Sequence, residues 1–125
     1  MATYYTIERA NERLLELVGL LEALRAQRDE LRELKAAYDA TEPDDDRRRV
    51  RLRMQGLVDQ MQATVARIDG WGIALRDIDT GLVDFPALVS GRQVWLCWRL
   101  GEAEVGWWHG LEDGVAGRRP LAEME

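Results

Sequence analysis

From Thr6 to about Asp39, apolar residues return at alternating intervals of three and four. Ile7, Leu14 and Leu21 mark one register; Ala10, Leu17, Leu24, Leu31 and Tyr38 mark the other. The stretch has no proline and a single glycine, Gly19, so the spacing predicts one helix ~50 Å long. Thr6 suits the N-cap, and Glu8 places a negative charge where the helix dipole favours it. Arg28 and Lys35 fall on the distal half of the seam. Their stems pack while their charges reach solvent, so that end of the seam is narrower and wetter. Thr41-Glu42-Pro43-Asp44-Asp45-Asp46 breaks the pattern, because proline ends a helix and the aspartates suit the start of the next. A second helix is expected from about Asp45 to Asp69, with Val50, Met54, Leu57, Met61, Thr64 and Ile68 as its seam and Gly70 as its stop. So short a connection makes the two helices antiparallel neighbours.

Beyond Trp71-Gly72 the period changes from 3.6 to two. Ile73–Asp77 alternates as a strand, Ile78–Gly81 reads as a turn, and Leu82–Phe85 reads as a second strand that Pro86 confines to an edge or ends. Ala87–Gly91 is the connection to a strand over Gln93–Leu100, and Val105–His109 returns from it. Gly110 to Glu125 reads as ordered loop and frayed end. Residues 1–5 either add a short strand through Tyr4 and Tyr5 or lead directly into the first helix. The expected architecture is α+β: a long antiparallel helical hairpin over residues 1–70, followed over 71–125 by a small antiparallel meander of about four strands and a tail. The two parts form one compact unit.

Each helix carries apolar residues beside its seam: Leu15, Val18, Leu20 and Leu34 on the first, Val58 and Val65 on the second. One partner helix cannot cover them all, so the sheet and a second copy of the chain are both expected to contribute, the latter as a homodimeric four-helix arrangement of the distal hairpin. The 125 residues are 46% hydrophobic and 32% charged, the balance of an ordinary globular domain. A net charge of −6 argues against generic nucleic-acid binding, which rests on phosphate neutralisation. Cys97 is the sole cysteine, so no intrachain disulfide forms, and a reducing, cytoplasmic setting is expected. The N-terminal residues lack the pattern of a secretory signal. No apolar run approaches the roughly 20 residues of a membrane span.

Chemistry concentrates in Gln93–His109, which holds four of the five tryptophans, the cysteine and the only histidine. A tight turn near Gly101 places Gln93, Trp95, Cys97 and Arg99 on one face with Glu104, Gly106 and Trp108, and sends Val105, Trp107 and His109 to the other. Arg99 and Glu104 then pair across the strands. Trp95 and Trp108 lie opposite each other as a platform for a flat or cationic ligand. The expected ligand-binding residues are Trp95, Trp98, Arg99, Glu104, Trp108 and His109, with a protein or small molecule as partner. Burial of the same aromatics against the helices or a second subunit is the competing reading. In this register Cys97 and His109 face apart, so neither a nucleophile–base pair nor a metal site shared by the two works without a bulge. One cysteine and one histidine fall short of a zinc tetrad, so no metal ligands are assigned. A mixed site of His109 with Glu112, Asp113 or Asp84 stays open.

Two further clusters have plainer readings. Asp77-Ile78-Asp79-Thr80-Gly81 with Asp84 looks like a calcium loop, but its twelfth position is Leu88 rather than a glutamate; hairpin-turn chemistry accounts for it. Arg47, Arg48, Arg49, Arg51 and Arg53 follow Asp44–Asp46, which offset their charge and make a solvated helix face. Three stretches, TIERAN near the start, GLVDFPAL in the middle and CWRLGEAEVGWWHGLEDGVAGRRPL at the end, resemble a prokaryotic family catalogued as domain of unknown function 2203. The last is long and specific, while the helices agree in character. The resemblance implies the same two-part layout and brings no activity, since the family has no settled one. The residues leave two functions open. One is a self-associating binding module with a tryptophan-rich sheet. The other is a small metal- or ligand-dependent enzyme using His109 with Asp84, Arg99, Glu102 or Glu104; no cofactor is indicated.

Overall fold

A computed structural model describes residues 4–42 and 45–123 of the chain. Two helices, α1 (Ile7–Ala40) and α2 (Asp45–Gly70), precede five strands: β1 (Ala74–Asp77), β2 (Leu82–Val89), β3 (Arg92–Trp98), β4 (Trp107–His109) and β5 (Arg119–Pro120). The strands form one antiparallel sheet in the order β1-β2-β3-β4-β5. The α+β layout and meander order therefore match the sequence reading, with one strand more than the four expected. Pro43 and Asp44, on which the helix break was placed, lie outside the described residues, as do residues 1–3.

Thr6 caps α1 as its side chain accepts from the Arg9 amide at 3.1 Å. The α1 residues that become buried are Ala10, Leu14, Leu17, Leu21 and Leu24, one stripe at intervals of four and three. They pack on the sheet face formed by Val83, Phe85 and Ala87 of β2 and Val94, Leu96 and Trp98 of β3. Farther along, Leu31, Leu34 and Tyr38 are only half-buried, as α1 runs on beside α2 past the main body of the sheet. The sheet thus anchors the proximal half of the hairpin and leaves the distal half as a two-helix arm.

Pro86 does not end β2. The strand runs on to Val89, and its connection to β3 is only Ser90-Gly91, both at positive φ (52° and 77°), the conformation a tight hairpin turn requires. Beyond Asp84, β2 has no β1 residue beside it. The Pro86 carbonyl on that side accepts from the Tyr5 amide at 2.7 Å, so the missing proline N–H falls where no strand needs it. Gly81 enables the turn before β2. Its φ is +66°, and a Cβ there would lie 2.5 Å from Leu100 Cγ.

The largest departure from the expected geometry is in the β3–β4 connection. The strands were expected to reach Leu100 and resume at Val105; instead β3 ends at Trp98 and β4 begins at Trp107. Residues 99–106 fold into a loop held by its own bonds. Glu102 Oε1 accepts from the Arg99 amide at 2.9 Å, and the Glu102 carbonyl accepts from Trp98 Nε1 at 3.1 Å. Val105 is buried, with its amide donating to Asn11 Oδ1 of α1 at 2.7 Å. This loop shifts the pairing by one residue, to Trp95↔His109, Leu96↔Trp108 and Cys97↔Trp107. Because side chains alternate, that single step exchanges the two faces of β4.

Candidate functional site

The face of the sheet turned away from the helices carries the polar core. Asp84 on β2 is paired with Cys97 on β3, while His109 on β4 is paired with Trp95. Asp84 and His109 are thus near neighbours across the intervening strand. His109 Nε2 lies 3.0 Å from Asp84 Oδ1, and Nδ1 lies 2.9 Å from the Gly110 carbonyl. Arg76, the bulged residue of β1, donates from Nε to Asp84 Oδ2 at 3.0 Å. Candidate ligand atoms of Asp84, Cys97 and His109 all lie within 4.8 Å of one another. All three residues are buried: 3% exposed for Asp84, 0% for Cys97 and 3% for His109.

Two features of this cluster define its chemistry. The Gly110 carbonyl can only accept, so Nδ1 carries a proton, and Nε2 then faces a carboxylate oxygen. A neutral ring would set one lone pair against another at that contact, so a cation belongs between them, either a proton or a metal ion. An Nδ1–H anchored to a backbone carbonyl is also the outer-sphere arrangement that orients a metal-binding imidazole. The second feature is Cys97. Burial, reinforced by the nearby Asp84 charge and partly opposed by Arg118, pushes its thiol up to about 12. It is therefore a protonated thiol at neutral pH and no nucleophile unless a metal displaces the proton.

The segment after β4 covers this face. Arg118 stacks over Trp107 at 4.4 Å and is paired with Glu102, while its Nε and Nη1 are buried without a hydrogen-bond partner among the described residues. Between this cover and the sheet lies a cavity of about 490 Å³ lined by Arg76, Leu82, Asp84, His109, Leu111 and Glu112, with Gly114 and Val115 at its rim. Asp113 takes a structural part, accepting from the Gly110 amide at 3.3 Å.

The shifted register redistributes the residues singled out from sequence. Cys97 and His109, expected on opposite faces, share one. Trp95 and Trp108, expected opposite each other on one face, are on different faces, so the paired platform does not form. Trp95 and Trp98 do point to opposite sides, but Trp98 is only 1% exposed and belongs to the helix-facing core. Trp95 and Trp108 are half-buried with guanidinium groups near their rings, Arg76 at 5.0 Å and Arg119 at 5.7 Å. Arg99 and Glu104 are exposed in the loop rather than paired across strands. His109 is the one predicted residue inside the polar cluster. Of its three suggested carboxylate partners, Asp84 bonds to it and Glu112 lines its cavity. Arg76 was missed, since nothing local distinguishes it from any strand-end arginine. The Asp77–Gly81 turn is held by Asp77, which accepts from the Asp79 amide at 3.1 Å and the Thr80 hydroxyl at 2.9 Å. Within the basic cluster, Arg53 bonds Glu30 at 2.8 Å and Arg47 covers Tyr38.

A helical hairpin laid on one face of an antiparallel meander, with a buried Asp–Cys–His cluster on the other, defines the structural class. Residues 3–121 match an uncharacterised conserved protein family, DUF2203, and the chain belongs to it. Among curated proteins and among solved structures, none matches the chain. No helix among the described residues is long and apolar enough to cross a membrane.

Proposed function

We propose that this protein binds a divalent transition metal through Asp84, Cys97 and His109 and offers it to a small ligand in the adjoining cavity. The observation that carries this reading is the three buried ligand atoms within 4.8 Å of one another, with the imidazole held by its far nitrogen. Thiolate, imidazole and carboxylate together suit zinc and its neighbours better than calcium or magnesium. Cys97 is wholly buried while Asp84 and His109 line the cavity, so a further coordination position would lie on the cavity side. A thiol ligand also suits the reducing, cytoplasmic setting expected from the unpaired cysteine. Equilibrium dialysis of untagged protein against Zn²⁺ or Co²⁺ tests the reading. One equivalent per chain is expected, with uptake lost in His109→Ala and the thiolate-to-Co²⁺ charge-transfer band lost in Cys97→Ser. Absence of saturable uptake by folded wild-type protein, or uptake indifferent to His109, overturns it.

A second reading, homodimerisation, is supported by a separate observation. An apolar groove of about 660 Å³ runs between α2 and β1, lined by Leu31, Val58, Met61, Val65 and Leu75, beside the edge strand of the sheet. A dimer mass by light scattering at micromolar concentration, reduced by Val65→Arg, is the expected result. A monomer at that concentration removes this reading without touching the first.

A further inference from the structure

Resting on the metal reading, the lining of the adjoining cavity favours one class of ligand. Arg76 is bound to Asp84 through Nε alone, and its Nη nitrogens have no hydrogen-bond partner among the described residues. Its side chain is 45% exposed and lines the cavity beside Asp84 and His109. The guanidinium, near the Trp95 ring and bonded to Asp84 through Nε, thus keeps its Nη groups unused on a side chain that lines the cavity, and planar paired donors suit the two oxygens of a carboxylate. Charge favours the same end of the cavity. A divalent ion with the Asp84 carboxylate and a Cys97 thiolate is neutral, so Arg76, bonded to Asp84, leaves a positive charge beside the metal ligands, while the cavity's remaining negative charge is that of Glu112.

The rest of the wall limits what that anion is attached to. Leu82, Leu111 and Val115 are apolar, and the last two are 56% and 40% exposed where the cavity opens. Glu112 is the acidic residue at the opening and is itself exposed. Like charge there disfavours a second anionic group at the outer end of the ligand. The volume suits a small molecule.

We infer that the cavity binds a small monocarboxylic acid, its carboxylate held by the metal and the Nη groups of Arg76 and its apolar body laid against Leu82, Leu111 and Val115. Glu112 acts as a selectivity residue against dicarboxylates. Arg76 also positions Asp84, so its two contributions must be separated in the test.

The experiment uses the full chain loaded with Co²⁺ and titrated with sodium butyrate, succinate and inorganic phosphate, following the cobalt d–d absorption. Butyrate is expected to perturb the spectrum saturably, with an affinity about tenfold above that of succinate or phosphate. Arg76→Gln is expected to weaken butyrate about tenfold while Co²⁺ affinity holds or rises, since a nearby positive charge has gone. Glu112→Gln, which removes the negative charge from the cavity wall, is expected to tighten succinate several-fold more than it tightens butyrate, and an equal effect on both counts against the inference. If Co²⁺ binds through His109 but butyrate leaves its spectrum untouched, or if Arg76→Gln binds butyrate like wild type, the inference fails and the metal site stands. Tighter phosphate or succinate than butyrate also overturns it. If Co²⁺ does not bind, both fall together.

Discussion

At the scale of single residues, Asp84 has the most depending on it. Its carboxylate receives Arg76 at one oxygen and faces His109 at the other, and it is buried on both sides. Asp84→Ala leaves the buried imidazole and the guanidinium without their acceptor, and a loss of about 3–5 kcal/mol in urea unfolding is expected. Cys97 sets a different signature. Its thiol is raised from 9.0 to about 12 in the folded state, so between those values the native protein holds a proton that the unfolded chain releases. The stability this contributes is intact below pH 9 and is lost as pH rises toward 12. Metal-free protein should therefore unfold at progressively lower urea concentration across that window, and Cys97→Ala should flatten the decline. Glycines sort by surroundings. Gly81→Ala meets Leu100 and an unfavourable φ and is expected to cost about 1–3 kcal/mol. Gly19→Ala and Gly56→Ala, inside helices with open space around them, are each expected to add up to about 1 kcal/mol. Thermal melts of the three variants decide both signs.

At the scale of elements, what could be read from sequence follows from the range of the forces involved. The stripe Ala10–Leu14–Leu17–Leu21–Leu24 was legible because helix periodicity is local and redundant over several turns. Thr6 was legible for the same reason. Strand existence was also plain, but register was not, because it depended on the Trp98–Glu102 and Asn11–Val105 bonds of the β3–β4 loop. The second of these joins residues 94 positions apart. An assumed tight turn gave the wrong parity, and one residue of slip was enough to split Trp95 from Trp108 and to bring His109 round to Cys97. Pro86 misled for a related reason, since whether proline ends a strand depends on what lies on its N side, and here β1 has already stopped. The helices themselves divide unequally. Leu17, fully buried over the sheet, should cost about 2–5 kcal/mol as alanine, whereas Leu15, 87% exposed, should change stability by less than about 0.5 kcal/mol. Amide exchange should follow the same gradient, with the distal arm beyond Leu24 opening at lower free energy than the proximal half.

At the scale of the whole molecule, the two sheet faces have opposite characters. One holds the apolar core under α1, and the other holds an ionisable cluster under the final segment. The sequence pattern predicted the first, because burial on one helix stripe and one strand face reinforce each other. The second was legible only as scattered residues, since its members come from four strands and converge only when the register is known. The net charge of −6 is consistent with a surface that attracts cations without specifying a partner.

The cover over that second face has a consequence in time. All three proposed ligand residues lie at or before His109, while the segment that roofs them follows in the chain. Floor and cover are thus separate stretches of chain, and the cavity between them opens beside the exposed Leu111 and Val115. An ion would therefore reach the donors through that mouth, and the ease with which the covering segment gives way would set the pace of loading and release.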